Sequence, residues 1–378
     1  MAETAIGPAA AGTALVEERI AVATQWQLMW WRFRKHKLAM IGTIVIILFY
    51  LVVIFADFLA YSPPTSSEAA RSLISPQRVY LFDNGRLRPH VYALVGRRDP
   101  NTFQRVYVPD PQNQIYLRFF VHGYKYNFLG LIPMDWHLLG VEGDTPVEKA
   151  LFLLGTDTQG RDMWSRLILA TRISLTIGLV SVALSLFLGV LLGGLSGLLG
   201  GVTDMVIQRI IEILASVPTI PLWMGLAAAV PADWDIVKVY FAITIIISLL
   251  GWTNVARVVR GRFLSLREED YVMAAEFVGC GRLRIIFRHM VPGFLSHIIA
   301  ATTLALPNMI ISETSLSFLG LGLRPPAISW GVLLQQAQNV QTIALTPWLL
   351  LPAVPVMVAI LAFNFMGDGL RDAADPYG

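Results

Sequence analysis

Cysteine is nearly absent from this 378-residue sequence, in which Cys280 stands alone. One thiol excludes an intrachain disulfide, a thiolate metal cluster and a CxxC redox pair. His36, His90, His122, His137, His289 and His297 show no metal-ligand spacing, and no HExxH pair occurs. Neither a metal site nor a catalytic residue is therefore expected. Gly-Lys dipeptides are missing too, so the chain cannot build the phosphate cradle whose lysine and backbone N–H groups meet a nucleotide together. It also lacks the G-x-S-x-G turn of acyl-transfer enzymes. Charged residues are scarce at 15%, and a net formal charge of +3, spread over short basic clusters, does not make a nucleic-acid surface.

Apolar residues make up 55% of the chain, which reads as an all-α polytopic membrane protein. Residues 38–60 form the first apolar run, and at about 1.5 Å per residue they cover a hydrocarbon core of about 30 Å with some tilt. Further spans are expected at 173–199, 205–230, 237–256, 294–319 and 346–366, giving six in all. Residues 1–37 read as a cytoplasmic N-terminus: 1–14 are small and flexible, and 15–37 turn amphipathic. There Trp26, Trp30 and Trp31 sit beside Arg32, Arg34, Lys35 and Lys37, as in a helix lying on the membrane surface. The length of the following apolar run argues for a membrane anchor rather than a cleaved signal peptide. The stretch 257–293 carries seven arginines against four acids, so it is placed in the cytoplasm with both termini, the latter ending in 367–378.

Residues 61–166 differ from the rest, being polar, aromatic and broken by Pro63, Pro64, Pro76, Pro89, Pro100, Pro109 and Pro111. They are expected to form a large extracytoplasmic insert between the first and second spans. Asp83-Asn84-Gly85 between apolar runs predicts a β-hairpin, and 103–108 and 114–122 add two strand-like runs around Pro109-Asp110-Pro111. Such an insert fits a dock for a substrate-binding protein, a cap over a pathway or an elaboration that stabilises the outer face. The remaining spans are read by their small and polar residues. Gly193, Gly194, Gly197, Gly200 and Gly201 give the second span a smooth packing face. Pro218 and Pro221 predict a kink in the third, which also holds Glu212. Asn308, Ser312 and Ser315 share a narrow arc of the fifth, from which Glu313 points away. These four are the candidate pathway residues.

The cytoplasmic stretch 266–292 is charged and helix-forming between two apolar segments. Glu268, Glu269 and Asp270 open it, Arg282, Arg284 and Arg288 close it, and Gly279 and Gly281 divide it into two short helices. Tyr271, Ala275 and Val278 recur at helical spacing, so the first helix suits a groove in another protein; a solvated loop that merely holds topology is the plainer reading. Ala274, Ala275, Gly279 and Pro292 fall on the E-A-A-x3-G-x9-I-x-L-P pattern, and the stretch resembles the cytoplasmic loop of bacterial ABC importer permeases. Met273, His289 and Val291 depart from that pattern, so no role passes to its missing glutamate. Four blocks in order, LGTDTQGRDMWSRLILATRISL, EEDYVMAAEFVG with LRIIFRHMVP, ETSLSFLGLGLRPPAISWG and NFMGDGLRDAADP, are similar to the second permease subunit of dipeptide/oligopeptide importers.

The resemblance implies a multi-pass subunit of a bacterial or archaeal inner membrane, with a second permease, two cytoplasmic ATPase subunits or domains and an extracytoplasmic substrate-binding protein as partners. ATP and Mg2+ would bind on the ATPases, and no cofactor on this chain. Tyr271, Ala274, Ala275, Gly279, Arg282, Arg284, Arg288 and Pro292 would form the ATPase-coupling loop within a five-helix core at 167–366. Nickel complexes or sugars are alternative substrates. An ATP-independent secondary transporter, with Glu212 and Glu313 as coupling groups, or a membrane scaffold would be a different class.

Overall fold

The computed structural model describes residues 24–374 apart from 84, 99, 101–104, 144 and 232. The expectation for 1–23, including the first part of the surface helix, lies outside the described residues, as do 375–378. Helix α1 (Gln25–Lys35) opens on a capping box: the Gln27 N–H donates to Thr24 Oγ1 and the Thr24 N–H to Gln27 Oε1. His36 ends it, then caps α2 (Lys37–Ile54) by accepting from the Ala39 N–H at 3.1 Å. Trp26, Trp30 and Trp31 stay exposed, whereas Phe33 is buried against Ala39 and Ala373. Phe55 separates α2 from the short α3 (Ala56–Leu59).

Beyond α3 the chain builds a four-stranded antiparallel sheet in the order β1-β2-β3-β4: β1 (Tyr80–Asp83), β2 (Arg86–Arg98), β3 (Arg105–Phe128) and β4 (Ile132–Val141). The hairpin predicted around Asp83 and Gly85 is present. Residues 105–108 and 114–122, predicted as separate strands, belong to one 24-residue strand, because the register slips from Tyr92↔Gln114 to Ala93↔Asp110. The bulge takes up Pro111, which has no N–H to give a ladder. A core of Tyr61, Val91 and Leu151 ties the sheet to the chain on either side. Helix α4 (Val147–Ala150) follows.

Helix α5 (Met163–Leu199) starts ten residues before the span expected at 173 and before the insert's expected end at 166; Asp162 caps it, accepting from the Ser165 N–H at 2.7 Å. Its small residues form a groove for α8 (Ile236–Leu266). A Cβ on Gly189 would lie 2.6 Å from Val255, on Gly193 2.4 Å from the Ala256 carbonyl oxygen, and on Gly197 2.5 Å from Phe263. Backbones this close need glycine.

The third predicted span, 205–230, is not one straight helix. It consists of α6 (Gly201–Ser216) and α7 (Thr219–Ala228), which meet at 91°. Pro218 supplies no N–H to continue α6 and forces the preceding Val217 into extended backbone, at ψ 131°. Helix α8 then runs ten residues past the expected end at 256, into the stretch expected to be loop. Helix α9 (Asp270–Phe277) follows, and a turn at Arg282–Arg284, a π-turn at Ile285–Met290 and a 3₁₀ turn at Val291–Phe294 lead into α10 (Leu295–Phe318). The chain ends through α11 (Trp330–Gln335), α12 (Val340–Leu345) and α13 (Ala353–Ala374).

Among the described residues, five helical segments are long and apolar enough to cross a membrane, or six if the bent α6–α7 pair counts as one. The main core lies between α2, α5, α8, α10 and α13 around Trp330, Leu175, Ile177, Ile243 and Phe363.

Candidate coupling surface and membrane cavity

Helix α9 is held to its own chain by Val272 and Ala275, which enter a cluster with Val259, Phe263, Ile285, Ile286 and Phe294. This corrects the expectation for Ala275, which is 8% exposed and faces inward. Tyr271 and Ala274 face outward, and Phe277, 91% exposed, and Val278 project furthest. The helical spacing was legible in the sequence, but the choice between two small alanines depends on a cluster assembled from α8 and the π-turn. Gly279 ends α9 in a Schellman motif: the Cys280 N–H donates to the Ala275 carbonyl at 3.0 Å and the Gly279 N–H to that of Glu276 at 2.9 Å, with Gly279 at φ 79°. Open space surrounds its missing Cβ, so backbone conformation rather than crowding requires glycine there. Arg282, Arg284, Arg288 and Pro292 are exposed beyond this turn.

A second fixed point joins the helices near this surface. Arg260 on α8 grips Asp204 on α6 through two parallel contacts, Nε–Oδ1 at 2.5 Å and Nη2–Oδ2 at 2.6 Å. Ser196 donates to the same carboxylate. The bidentate pair fixes the α5–α6 turn against α8.

Between α6, α7, α8 and α10 lies a cavity of about 720 Å³. Asn308, Ser312 and Ser315 all line it, and Ser312 Oγ donates to the Asn308 carbonyl at 2.6 Å. Thr253, Asn254, Arg257 and Trp223 join them. Asn254 Oδ1 accepts from Arg257 at 3.0 Å, while the buried Trp223 indole N–H has no partner within the described chain. Thr253 and Asn254 were visible as polar residues in an apolar run; Trp223 was not, because only the bend after Ser216 turns it toward the cavity. Glu212 is exposed and paired with Arg209 at 2.9 Å.

Glu313 does not line the cavity. It is fully buried on the opposite side of α10, where it accepts from Ser174 Oγ at 3.0 Å and Ser317 Oγ at 2.9 Å. Ser174 Oγ also accepts from the Trp330 N–H at 3.1 Å, and the Trp330 indole donates to Thr171 at 3.2 Å. The carboxyl thus ties α5, α10 and α11 together.

A third polar cluster was not anticipated. Asp157, fully buried, accepts from the Arg161 N–H, from Arg161 Nε at 2.7 Å and from Gln336 Nε2 at 3.3 Å. Arg166, 2% exposed, adds a charge 3.5 Å from the same carboxylate without an aligned hydrogen bond. Asp162 accepts from Tyr61 Oη at 2.6 Å beside it. Burial pushes the Asp162 carboxyl up to about 6, against the lowering effect of its bonds from Tyr61 and Ser165.

Residues 189–377 match the family described as binding-protein-dependent transport system inner membrane component. The chain belongs to that family; it is a multi-pass permease component of ABC transport systems, and a transporter part rather than an enzyme. Within the family it falls with the C-type permeases, because residues 24–76 match the N-terminal TM domain of oligopeptide transport permease C. It is similar to the oligopeptide transport system permease protein OppC of Salmonella typhimurium, 41% identical over 243 residues, 64% of this chain and 77% of that protein. OppC of Escherichia coli K12 is 40% identical over 243 residues, with the same 64% and 77% covered. OppC of Bacillus subtilis is 34% identical over 237 residues, 62% of this chain and 75% of that one.

Proposed function

We propose that this chain is the second permease subunit of an ATP-driven importer of di- or oligopeptides. The observation that carries the reading is the continuity of α8, which lines the cavity at Asn254 and packs against α9 at Phe263. A pull on α9 is thereby passed to the cavity wall through one rigid helix. In this reading the bent α6–α7 pair counts as one of six spans, residues 61–166 form the extracytoplasmic insert, and both termini are cytoplasmic. A partner permease supplies the other half of the pathway, and an extracytoplasmic binding protein delivers substrate. Two cytoplasmic ATPases supply the energy with ATP and Mg2+.

Tyr271, Ala274, Phe277 and Val278 would sit in an ATPase groove, with Gly279 setting the exit of the chain and Pro292 its re-entry toward α10. The exposed Arg282, Arg284 and Arg288 would meet ATPase acids or lipid phosphate. Peptide is favoured by the names of the relatives and by the cavity lining. Asn254, Asn308, Thr253 and Ser315 offer amide and hydroxyl groups to peptide main chain whatever its side chains, and Arg257 offers a positive charge to its carboxylate.

The test is gentle affinity purification of the tagged chain from its native membrane, followed by reconstitution with whatever accompanies it. Recovery of a second permease and Walker-type ATPases, with ATP-dependent peptide uptake, is the expected result. A chain that purifies alone and moves solute without ATPases overturns the proposal.

A further inference from the structure

The β3–β4 hairpin ends in an uncharged run, Phe128-Leu129-Gly130-Leu131-Ile132. Leu131 is 83% exposed and Leu129 58%, and Ile132 stands out beside them. The turn is tight: the Leu131 N–H donates to the Phe128 carbonyl at 3.0 Å, with Leu129 at φ 51° and Gly130 at φ 75°. A turn with two left-handed residues in water favours Asn, Asp or Gly at the first of them. Leucine there has no side-chain hydrogen bond to offset the strain, and its exposed side chain gains little from the rest of the chain.

Contacts with α3 and with Phe55, which joins it to α2, fix the position of this tip. The Phe120 ring lies 6.1 Å from Phe58, and His137 Nδ1 lies 3.1 Å from the Asp57 carbonyl oxygen. At the end of the strand, the Phe128 ring lies 5.8 Å from Phe55. The hairpin therefore runs back along the chain toward α2. The 18 residues of α2 rise about 27 Å, close to the thickness of a hydrocarbon core of about 30 Å, so Phe55 marks its edge. Leu51, Ile54 and Phe55, exposed at that end of α2, continue the apolar surface of the tip. Behind the tip come Asn127 and Pro133, then Tyr126 and Met134, with Lys125 and Asp135 next and Tyr124 and Trp136 beyond them, so aromatic and charged side chains share the band behind the apolar tip, as at a membrane–water boundary.

We infer that Leu129, Leu131 and Ile132 are inserted among lipid acyl chains at the headgroup boundary, making the hairpin an interfacial anchor for the insert. Lipid is the occupant because the tip continues the apolar surface of a membrane helix at the depth where hydrocarbon ends. The lone cysteine makes the test direct. In a Cys280→Ser chain, Leu131→Cys and, separately, Leu129→Cys are labelled with an environment-sensitive nitrobenzoxadiazole probe. The assembled transporter is placed in phosphatidylglycerol/phosphatidylcholine nanodiscs, and the signal of the complex with the cysteine-free chain is subtracted. Val106→Cys, exposed at the other end of β3, gives the aqueous reference. The expected result at both tip positions is a blue-shifted emission, a several-fold loss of iodide quenching relative to position 106, and strong quenching by doxyl-labelled lipid. Iodide quenching equal to that at 106 overturns the inference, and so does protection from both quenchers, which would place the tip against protein.

Discussion

Asp162 shows how much one buried carboxyl can control. Its raised pKa means that the folded chain holds a proton that the unfolded chain releases at lower pH. By linkage, stability is highest below the unfolded value near 4 and falls as pH rises through about 6, by up to about 3 kcal/mol. Asp162→Asn keeps an N-cap and removes the titration, so thermal unfolding of the purified complex between pH 4.5 and 7.5 is expected to lose this component relative to the parent. At the proposed coupling surface, charge is the sharper probe. Phe277→Asp combined with Val278→Asp leaves the chain's own core untouched, since both side chains are exposed. Peptide uptake is expected to fall at least about tenfold, the loss of roughly 1.4 kcal/mol of contact with the ATPase, while the yield of folded subunit stays constant. Normal uptake would remove α9 from the coupling role. Gly279→Val acts through the backbone instead, straining a left-handed position by about 1–2 kcal/mol, and reduced uptake with intact assembly is expected.

Among the elements, the α5–α8 pair depends most on small residues. Gly193→Val would drive side-chain carbons into the Ala256 backbone, and overpacking of this kind costs about 1–3 kcal/mol. A lower unfolding temperature in detergent is the expected outcome, whereas Gly225→Ala, with nothing within 4 Å of the added Cβ, should change little. Much of this level was legible in the sequence. Apolar runs placed the helices, small residues marked the α5 face, and Asn-Gly in the insert marked a hairpin, because each signal is local. What escaped was set by contacts distant in sequence. Two strand-like runs fused into β3 because β2 could pair across a bulge, and Glu313 met Ser174 from another helix rather than the cavity. The kink at Pro218 was foreseeable from its missing N–H, but its 91° angle was not, since packing around Trp223 and Ile207 lies outside any local pattern.

For the whole molecule, the polar groups fall into two sets, one sealed in packing and one open to the cavity. Glu313 and the Asp157 cluster are sealed in packing, whereas Asn254, Asn308 and Ser315 face open space. Asn308→Ala is expected to raise the KM of peptide uptake roughly five-fold, equivalent to losing one hydrogen bond of about 1 kcal/mol, with little change in thermal stability. An unchanged KM would take Asn308 out of the pathway. The length of α8 has a mechanical consequence. Its 31 residues make a rod of about 46 Å. If the Arg260–Asp204 pair acts as its fulcrum, the short arm carries Phe263 and the long arm carries Asn254 and everything beyond it. A lever with unequal arms amplifies: a tilt too small to disturb the packing at α9 would sweep the far end of α8 through several times the distance.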